Sequence, residues 1–149
     1  MVQELTAAGF EFVDHVAISV KQGELDAMVE KYKTLGFTEL HREEVLGKHL
    51  VREVLLQIGN GPNLIQLIEP LSAESPVAKQ IEKAGGRAGF AHLAFRVKDI
   101  QKAYSYMKEK GFNLTQEPGK GSRGTQIFFV HPKDFSYLIE VVQEGAAHE

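Results

Sequence analysis

The sequence predicts an α+β fold made of two tandem βαβββ modules, whose strands form a curved mixed sheet around a metal-binding cavity. Three observations lead to this prediction. The chain of 149 residues contains an internal repeat. Each half of the repeat combines one stretch of helical periodicity with four stretches typical of strands. A histidine also occupies the same place in the first strand of each half.

Length and composition limit the class of protein. The length suits one compact domain, and we predict a single domain over residues 1–149. Because the chain has no cysteine, a metal site must use histidine, carboxylate or amide oxygen. The 17 basic and 20 acidic residues are mixed along the chain, which argues against a nucleic-acid partner. Without a signal-like start or a long apolar run, the sequence predicts a cytoplasmic protein with no membrane partner.

The repeat defines the order of the elements. Module 1 covers residues 12–70 and module 2 covers residues 89–143, with DHVAISV in the first matching AHLAFRV in the second. A helix follows in each module, with apolar residues at steps of three and four, and it ends at a Gly-Phe pair suited to a left-handed cap. Three further strands are predicted in each module, at residues 38–44, 49–58, 63–70, 113–118, 125–131 and 137–143.

The segment between the modules predicts a linker helix over residues 74–84. Ser72 is the predicted N-cap and Ser75 is the alternative, since a serine hydroxyl can accept a hydrogen bond from the first turn. The glycines that follow this helix indicate an irregular connection to the second module.

Strand alternation places polar residues on the face of each module that points away from its helix. Ile18 should pack on the first helix, while His15 points to the opposite face. The same reasoning applies to His92 in the second module, and to Gln66 and Glu140 in the last strand of each module. Each residue alone is more often a hydrogen-bonded core residue. Two imidazoles, an amide oxygen and a carboxylate together favour one open divalent metal site.

Several motifs are more specific than this pattern: LGFTELHREE, VREVLLQIG, QLIEP followed by SPVAK, and the HPKD turn. With these motifs the chain resembles the vicinal oxygen chelate superfamily, which includes glyoxalase I, bleomycin-resistance proteins and extradiol dioxygenases. Within that superfamily it is most similar to the methylmalonyl-CoA epimerase family. The resemblance covers residues from about 13 to 143.

The resemblance implies a set of site residues and a reaction. The metal ligands of the family correspond to His15, Gln66, His92 and Glu140, and its second catalytic carboxylate corresponds to Glu53. The implied cofactor is a divalent metal ion of the cobalt, manganese or zinc type. The implied enzyme is an epimerase that moves a proton at C2 of a 2-substituted malonyl-CoA-type thioester, with Glu53 and Glu140 as the two catalytic carboxylates. The implied partners are an acyl-CoA substrate and a second copy of the chain in a homodimer.

Other functions on the same scaffold stay open at this point. A glyoxalase I-type lyase would also move a proton beside a metal ion, and an iron(II) dioxygenase would use His15, His92 and Glu140 as a facial triad. A non-catalytic binding protein of the resistance type would need neither metal nor proton transfer. The sequence departs from the epimerase pattern at Ala91 and at residues 135–137, both of which bear on the choice of acyl group.

Overall fold

The computed structural model describes residues 2–145, with side chains from residue 4 onward. The predicted domain therefore includes residues 1 and 146–149, which lie outside the described part. The described residues form two compact units: the central unit, residues 15–91, and the terminal unit, residues 2–14 together with 92–145. The predicted α+β class is confirmed, since the described residues form four α-helices and eight β-strands. None of these helices is long and apolar enough to cross a membrane.

The central unit contains the elements of the first module. Its strands lie in the order β2-β3-β4-β1, with β1 parallel to β4 and the other neighbours antiparallel. Strand β1 begins in the terminal unit, and its residues 15–19 belong to the central unit. The elements are β1 (Phe10–Ser19), α2 (Leu25–Leu35), β2 (Thr38–Val45), β3 (Val51–Gln57), β4 (Leu64–Pro70) and α3 (Pro76–Lys83).

The terminal unit repeats this topology. Its strands lie in the order β5-β8-β7-β6, with β5 parallel to β8 and the others antiparallel, so both units follow the same βαβββ plan. The short helix α1, which the sequence did not predict, precedes β1. The elements are α1 (Val2–Ala7), β5 (Phe90–Val97), α4 (Ile100–Glu109), β6 (Gly119–Lys120), β7 (Gln126–Val130) and β8 (Leu138–Gln143). The first two residues of β5 belong to the central unit.

The predicted strand over residues 113–118 is wrong. Only Leu114 pairs there, through an isolated bridge to Val130, and strand pairing resumes at β6. The backbone N–H of Asn113 donates instead to the Asp134 carboxylate, with a distance of 2.7 Å. Pro118 has no N–H to offer a strand partner. These two residues leave the segment without the regular hydrogen bonds that a full strand requires.

Each helix packs on the strand face that alternation predicted. In the central unit, Ile18 and Leu67 contact the core around Leu25 of α2. In the terminal unit, Val97 and Ile139 contact the equivalent core around α4. The opposite face of each set of strands is thereby left for the polar residues.

Both ends of helix α2 are capped, the first by a side chain from strand β4 and the second by a glycine. The carboxylate of Glu69 in β4 accepts the backbone N–H groups of Gly23, at 2.5 Å, and Leu25, at 3.1 Å. A buried carboxylate thus satisfies donors that the helix itself leaves free, and it complements the positive end of the helix dipole. Gly36 ends the helix with φ at 112°, the left-handed conformation that the Gly-Phe pair predicted.

Ser75, not Ser72, is the N-cap of α3. The hydroxyl of Ser75 accepts the backbone N–H of Val77 at 3.2 Å and is fully buried. The hydroxyl of Ser72 accepts the N–H of Glu74 in the preceding turn. Pro76 explains the choice, because a proline is favoured at the first helical position and fixes the start of the helix directly after Ser75.

Replacing Ser75 by alanine should lower the free energy of unfolding by about 1–2 kcal/mol, the upper half of the range for an N-cap, because the hydroxyl is buried. The measurement is urea unfolding followed by circular dichroism. Ser72→Ala is the matched control and should change stability by less than about 0.5 kcal/mol, as expected for a surface turn. Equal effects of the two substitutions would contradict this assignment of the cap.

Candidate functional site

Three of the predicted site residues lie on one face of the central unit. In the strand register, Gln66 of β4 pairs with Ala17 of β1 and with Leu55 of β3. His15 and Glu53 each lie two residues before one of these partners, so their side chains point to the same face as Gln66. All three are buried, with 2% of His15, 4% of Glu53 and 6% of Gln66 exposed. The structure therefore brings them onto neighbouring strands of one polar face.

Gln66 and Glu53 are in direct contact. The amide nitrogen of Gln66 donates a hydrogen bond of 2.7 Å to Oε2 of Glu53. This contact fixes the orientation of the amide, because only its nitrogen can donate. The amide oxygen of Gln66 is buried and accepts no hydrogen bond from the described residues 2–145. A buried oxygen with free lone pairs is costly unless a cation or a donor meets it, so Gln66 fits the role of a metal ligand.

The other two predicted ligands lie together in the terminal unit. His92 Nε2 is 3.3 Å from Glu140 Oε1, and both side chains are about nine-tenths buried. The ring of Phe129 meets the His92 ring edge-to-face at 5.9 Å between centroids. An imidazole and a carboxylate held side by side in an apolar setting are suitable donors for one divalent ion.

The register of the two units is the same at these positions. Ala17, two residues after His15, pairs with Gln66, and Ala94, two residues after His92, pairs with Glu140. Each unit therefore places an imidazole of its first strand on the same face as a polar side chain of its last strand. Both alanines are fully buried.

Sequence reasoning missed two residues next to Glu53. His41 and Glu43 lie on β2, and His41 Nε2 is 2.5 Å from Glu43 Oε1. Glu43 pairs directly with Glu53 in the register of β2 and β3. One ligand atom from each of the three side chains lies within 4.8 Å of the others. The signal was available in the motif LHREE, since residues two apart on a strand share a face.

The terminal unit also contains a cavity of about 510 Å³, lined mainly by aromatic and aliphatic side chains. Phe10, Phe95, Tyr106 and Phe112 form much of its wall. None of the five predicted site residues lines this cavity. It lies among the residues of the helix-facing core, and it takes no part in the polar face of that unit.

The sequence is similar to a known superfamily and to named epimerases. A family model described as the glyoxalase/bleomycin resistance protein/dioxygenase superfamily matches residues 14–129. The chain is 32% identical over 134 residues to an ethylmalonyl-CoA/methylmalonyl-CoA epimerase of Cereibacter sphaeroides, with 88% of this chain and 96% of the relative covered.

Solved structures similar to this chain include two methylmalonyl-CoA epimerases. The crystal structure of methylmalonyl-CoA epimerase from Mycobacterium tuberculosis has a TM-score of 0.83 and 34% identity, with 92% of this chain and 90% of that chain covered. A methylmalonyl-CoA epimerase in complex with methylmalonyl-CoA and NH4+ has a TM-score of 0.82 and 35% identity, with 92% and 96% covered.

Replacing Gln66 by leucine should lower the free energy of unfolding in metal-free buffer by about 1–3 kcal/mol, because the buried Glu53 carboxylate loses a donor. The measurement is urea unfolding in the presence of a chelator. Gln57→Leu on β3 is the control, since Gln57 donates only to the partly exposed Gly61 carbonyl. If the control costs as much as the Gln66 variant, the Gln66–Glu53 contact does not have the stabilising role described above.

Proposed function

Because the chain belongs to the glyoxalase/bleomycin resistance protein/dioxygenase superfamily, we propose that it is a metal-dependent epimerase of a 2-substituted malonyl-CoA thioester such as methylmalonyl-CoA. The predicted enzyme class, an epimerase, is confirmed by the relatives, which carry that activity in their names and share about a third of their residues with this chain. The substrate is proposed from the solved relative that binds methylmalonyl-CoA.

The proposed metal ligands are His15, Gln66, His92 and Glu140. The free, buried amide oxygen of Gln66 and the adjacent imidazole and carboxylate of His92 and Glu140 support this set. A divalent ion of the cobalt, manganese or zinc type, when bound, would stabilise negative charge on the substrate oxygens as C2 loses its proton. The shared register of the two units is the observation that carries the proposal, since it gives each unit one imidazole and one oxygen donor.

The proposed proton transfer uses Glu53 and Glu140. Inversion at C2 needs one group to remove a proton from one face and another group to deliver a proton to the opposite face. Glu53 is buried and is oriented for this role by the hydrogen bond from Gln66. Glu140 is held beside His92. In the reverse direction the two carboxylates exchange roles, as microscopic reversibility requires.

We also propose that residues 1–149 form a single domain, that the protein is a homodimer and that it is cytoplasmic. A single cooperative unfolding transition would support one domain, because two independent domains do not unfold in one two-state step. Light scattering after gel filtration measures the mass in solution, and a mass of one chain would contradict the dimer.

The deciding experiment is incubation with methylmalonyl-CoA in deuterated water, with and without added cobalt or manganese ions. An epimerase should place one solvent deuterium at C2 and convert either epimer into a mixture of both. The rate should fall when the metal is removed by a chelator. Oxygen uptake supported by iron(II), without exchange at C2, would instead assign a dioxygenase.

Glu53→Gln should reduce inversion at C2, and exchange of the epimer whose C2 hydrogen faces Glu53, by at least about 100-fold, the lower end of the contribution of a general base. Metal affinity should change little, because Glu53 is not among the proposed ligands. Glu44→Gln is the matched control: Glu44 follows Glu43 on β2 but is exposed and paired with Arg52 at 2.9 Å. Wild-type inversion in the Glu53 variant would remove Glu53 from the mechanism.

His92→Ala should weaken the binding of cobalt or manganese ions by at least about 10-fold, a loss that even outer partners of metal sites can cause. Isothermal titration calorimetry of the metal-free protein measures the affinity. The exposed His131, whose Nδ1 only accepts the N–H of Lys133, provides the control variant His131→Ala. Unchanged affinity in the His92 variant would exclude His92 as a ligand.

A further inference from the structure

We propose that His41 and Glu43 form a proton relay that connects Glu53 to solvent and resets the enzyme between turnovers. The inference rests on the proposed function, because it assigns a role to two neighbours of the proposed base. His41 and Glu43 act through Glu53 and need no contact with the substrate. They are therefore relay residues and not catalytic residues in the strict sense.

The reaction itself creates the need for a relay. When Glu53 removes the proton from C2 and Glu140 supplies a different proton to the other face, the enzyme is left with a protonated Glu53 and an ionised Glu140. This form can turn over the opposite epimer only. To convert the same epimer again, Glu53 must release its proton to water. Glu53 is 4% exposed, so this release needs a path through the protein.

The burial of the three side chains forms a gradient from the interior to the surface. Glu53 lies on β3, with β4 and β2 on either side of it. Glu43 on β2 is directly opposite and has 30% of its side chain exposed, and His41 has 33% exposed. Strand β2 is at the edge of the four strands of the central unit, so His41 reaches water from the outermost strand of that unit.

The distances suit proton transfer. His41 Nε2 and Glu43 Oε1 are 2.5 Å apart, in direct hydrogen-bond contact. The ligand atoms of Glu43 and Glu53 lie within 4.8 Å, a gap that one bridging water can span. On the other side of Glu53, Gln66 only donates, so it cannot take the proton from the carboxylic acid through its amide nitrogen.

The other charged residues of β2 are engaged elsewhere. The carboxyl of Glu39 accepts hydrogen bonds from Arg42, which lower its pKa, and it also pairs with Lys33 at 3.2 Å. Glu44 pairs with Arg52. Only His41 and Glu43 among the charged residues of this strand belong to the cluster with Glu53.

The relay balances as follows. The proton from C2 sits on the Glu53 carboxyl and passes to the Glu43 carboxylate, which restores the Glu53 anion. Glu43 then gives a proton to His41, which becomes an imidazolium and releases a proton to water. The Glu53 and Glu43 carboxylates and the neutral imidazole are thereby restored, with one proton transferred from Glu53 to solvent. Glu140 takes up one proton from solvent by a separate step, which completes the reset.

The test compares one turnover with many turnovers for His41→Gln, using methylmalonyl-CoA and the metal-loaded enzyme. With enzyme in excess, a single inversion needs no reset, so its rate should stay within about 3-fold of the wild type. The steady-state kcat should fall by at least about 10-fold, less than the roughly 100-fold or more that loss of a catalytic acid–base group itself causes. Imidazole added to the solution should restore kcat, since it can carry the proton that His41 no longer carries.

Glu43→Gln should show the same split between single-turnover rate and kcat, and Glu44→Gln should leave both rates unchanged. The relay is refuted if kcat of the His41 variant is unchanged, if both rates fall by the same factor, or if imidazole restores nothing. The role of Glu53 as the base is tested separately. Glu53→Gln should slow the single turnover itself, and an unchanged single-turnover rate would refute that role. If wild-type enzyme exchanges no hydrogen at C2, the proposed function is refuted and the relay with it.

Discussion

The hydrogen bond from Gln66 to Glu53 is the contact on which the polar face of the central unit depends. It connects two side chains that stand in the middle of apolar strands, where a polar group without a partner costs several times what a satisfied hydrogen bond contributes. The same bond leaves the amide oxygen of Gln66 free for a cation and leaves the Glu53 carboxylate oriented for proton transfer. This one hydrogen bond therefore orients both the proposed metal ligand, Gln66, and the proposed base, Glu53.

One face of the strands packs against the helices, and the other face carries the buried polar residues of the candidate site. Helices α2 and α4 cover one face with closely similar apolar cores, built from alternate residues of the strands. The other face carries the buried histidines, Gln66 and the carboxylates. Because strand side chains alternate, a residue on the chemical face can change without disturbing the helix-facing core. This separation explains how one scaffold can serve lyases, oxygenases, epimerases and binding proteins.

The repeat gives each unit one histidine and one polar partner, but the partners differ in their chemistry. In the terminal unit the polar partner of the histidine is the carboxylate Glu140, which can both bind a cation and exchange a proton. In the central unit the partner is the neutral amide of Gln66, and the carboxylate lies one strand further on, at Glu53. In the proposed mechanism the central unit thus separates metal binding from proton transfer, and His41 and Glu43 lie on its outer strand.

The sequence by itself determined the βαβββ plan, the helix-facing residues and the equivalence of His15 with His92, because these follow from periodicity and from the repeat. It also singled out Gln66 and Glu140, since a polar residue on a buried strand face is rare. Two predictions from the sequence were wrong because a single neighbouring residue decides the local structure. The Asp134 carboxylate accepts the N–H of Asn113 in place of a strand partner. Pro76 places the N-cap of α3 at Ser75, the alternative, and not at Ser72.

Only the tertiary structure placed His41 and Glu43 beside Glu53. Their proximity depends on the pairing of β2 with β3, and a register shift by one residue would turn these side chains to the other face. Strand pairing joins residues that are distant along the chain, so periodicity can assign a side chain to a face but cannot choose its neighbour on the next strand. The sequence therefore determined the strand face of His15, Gln66, His92 and Glu140, and the tertiary structure decided which side chains meet on that face and added His41 and Glu43.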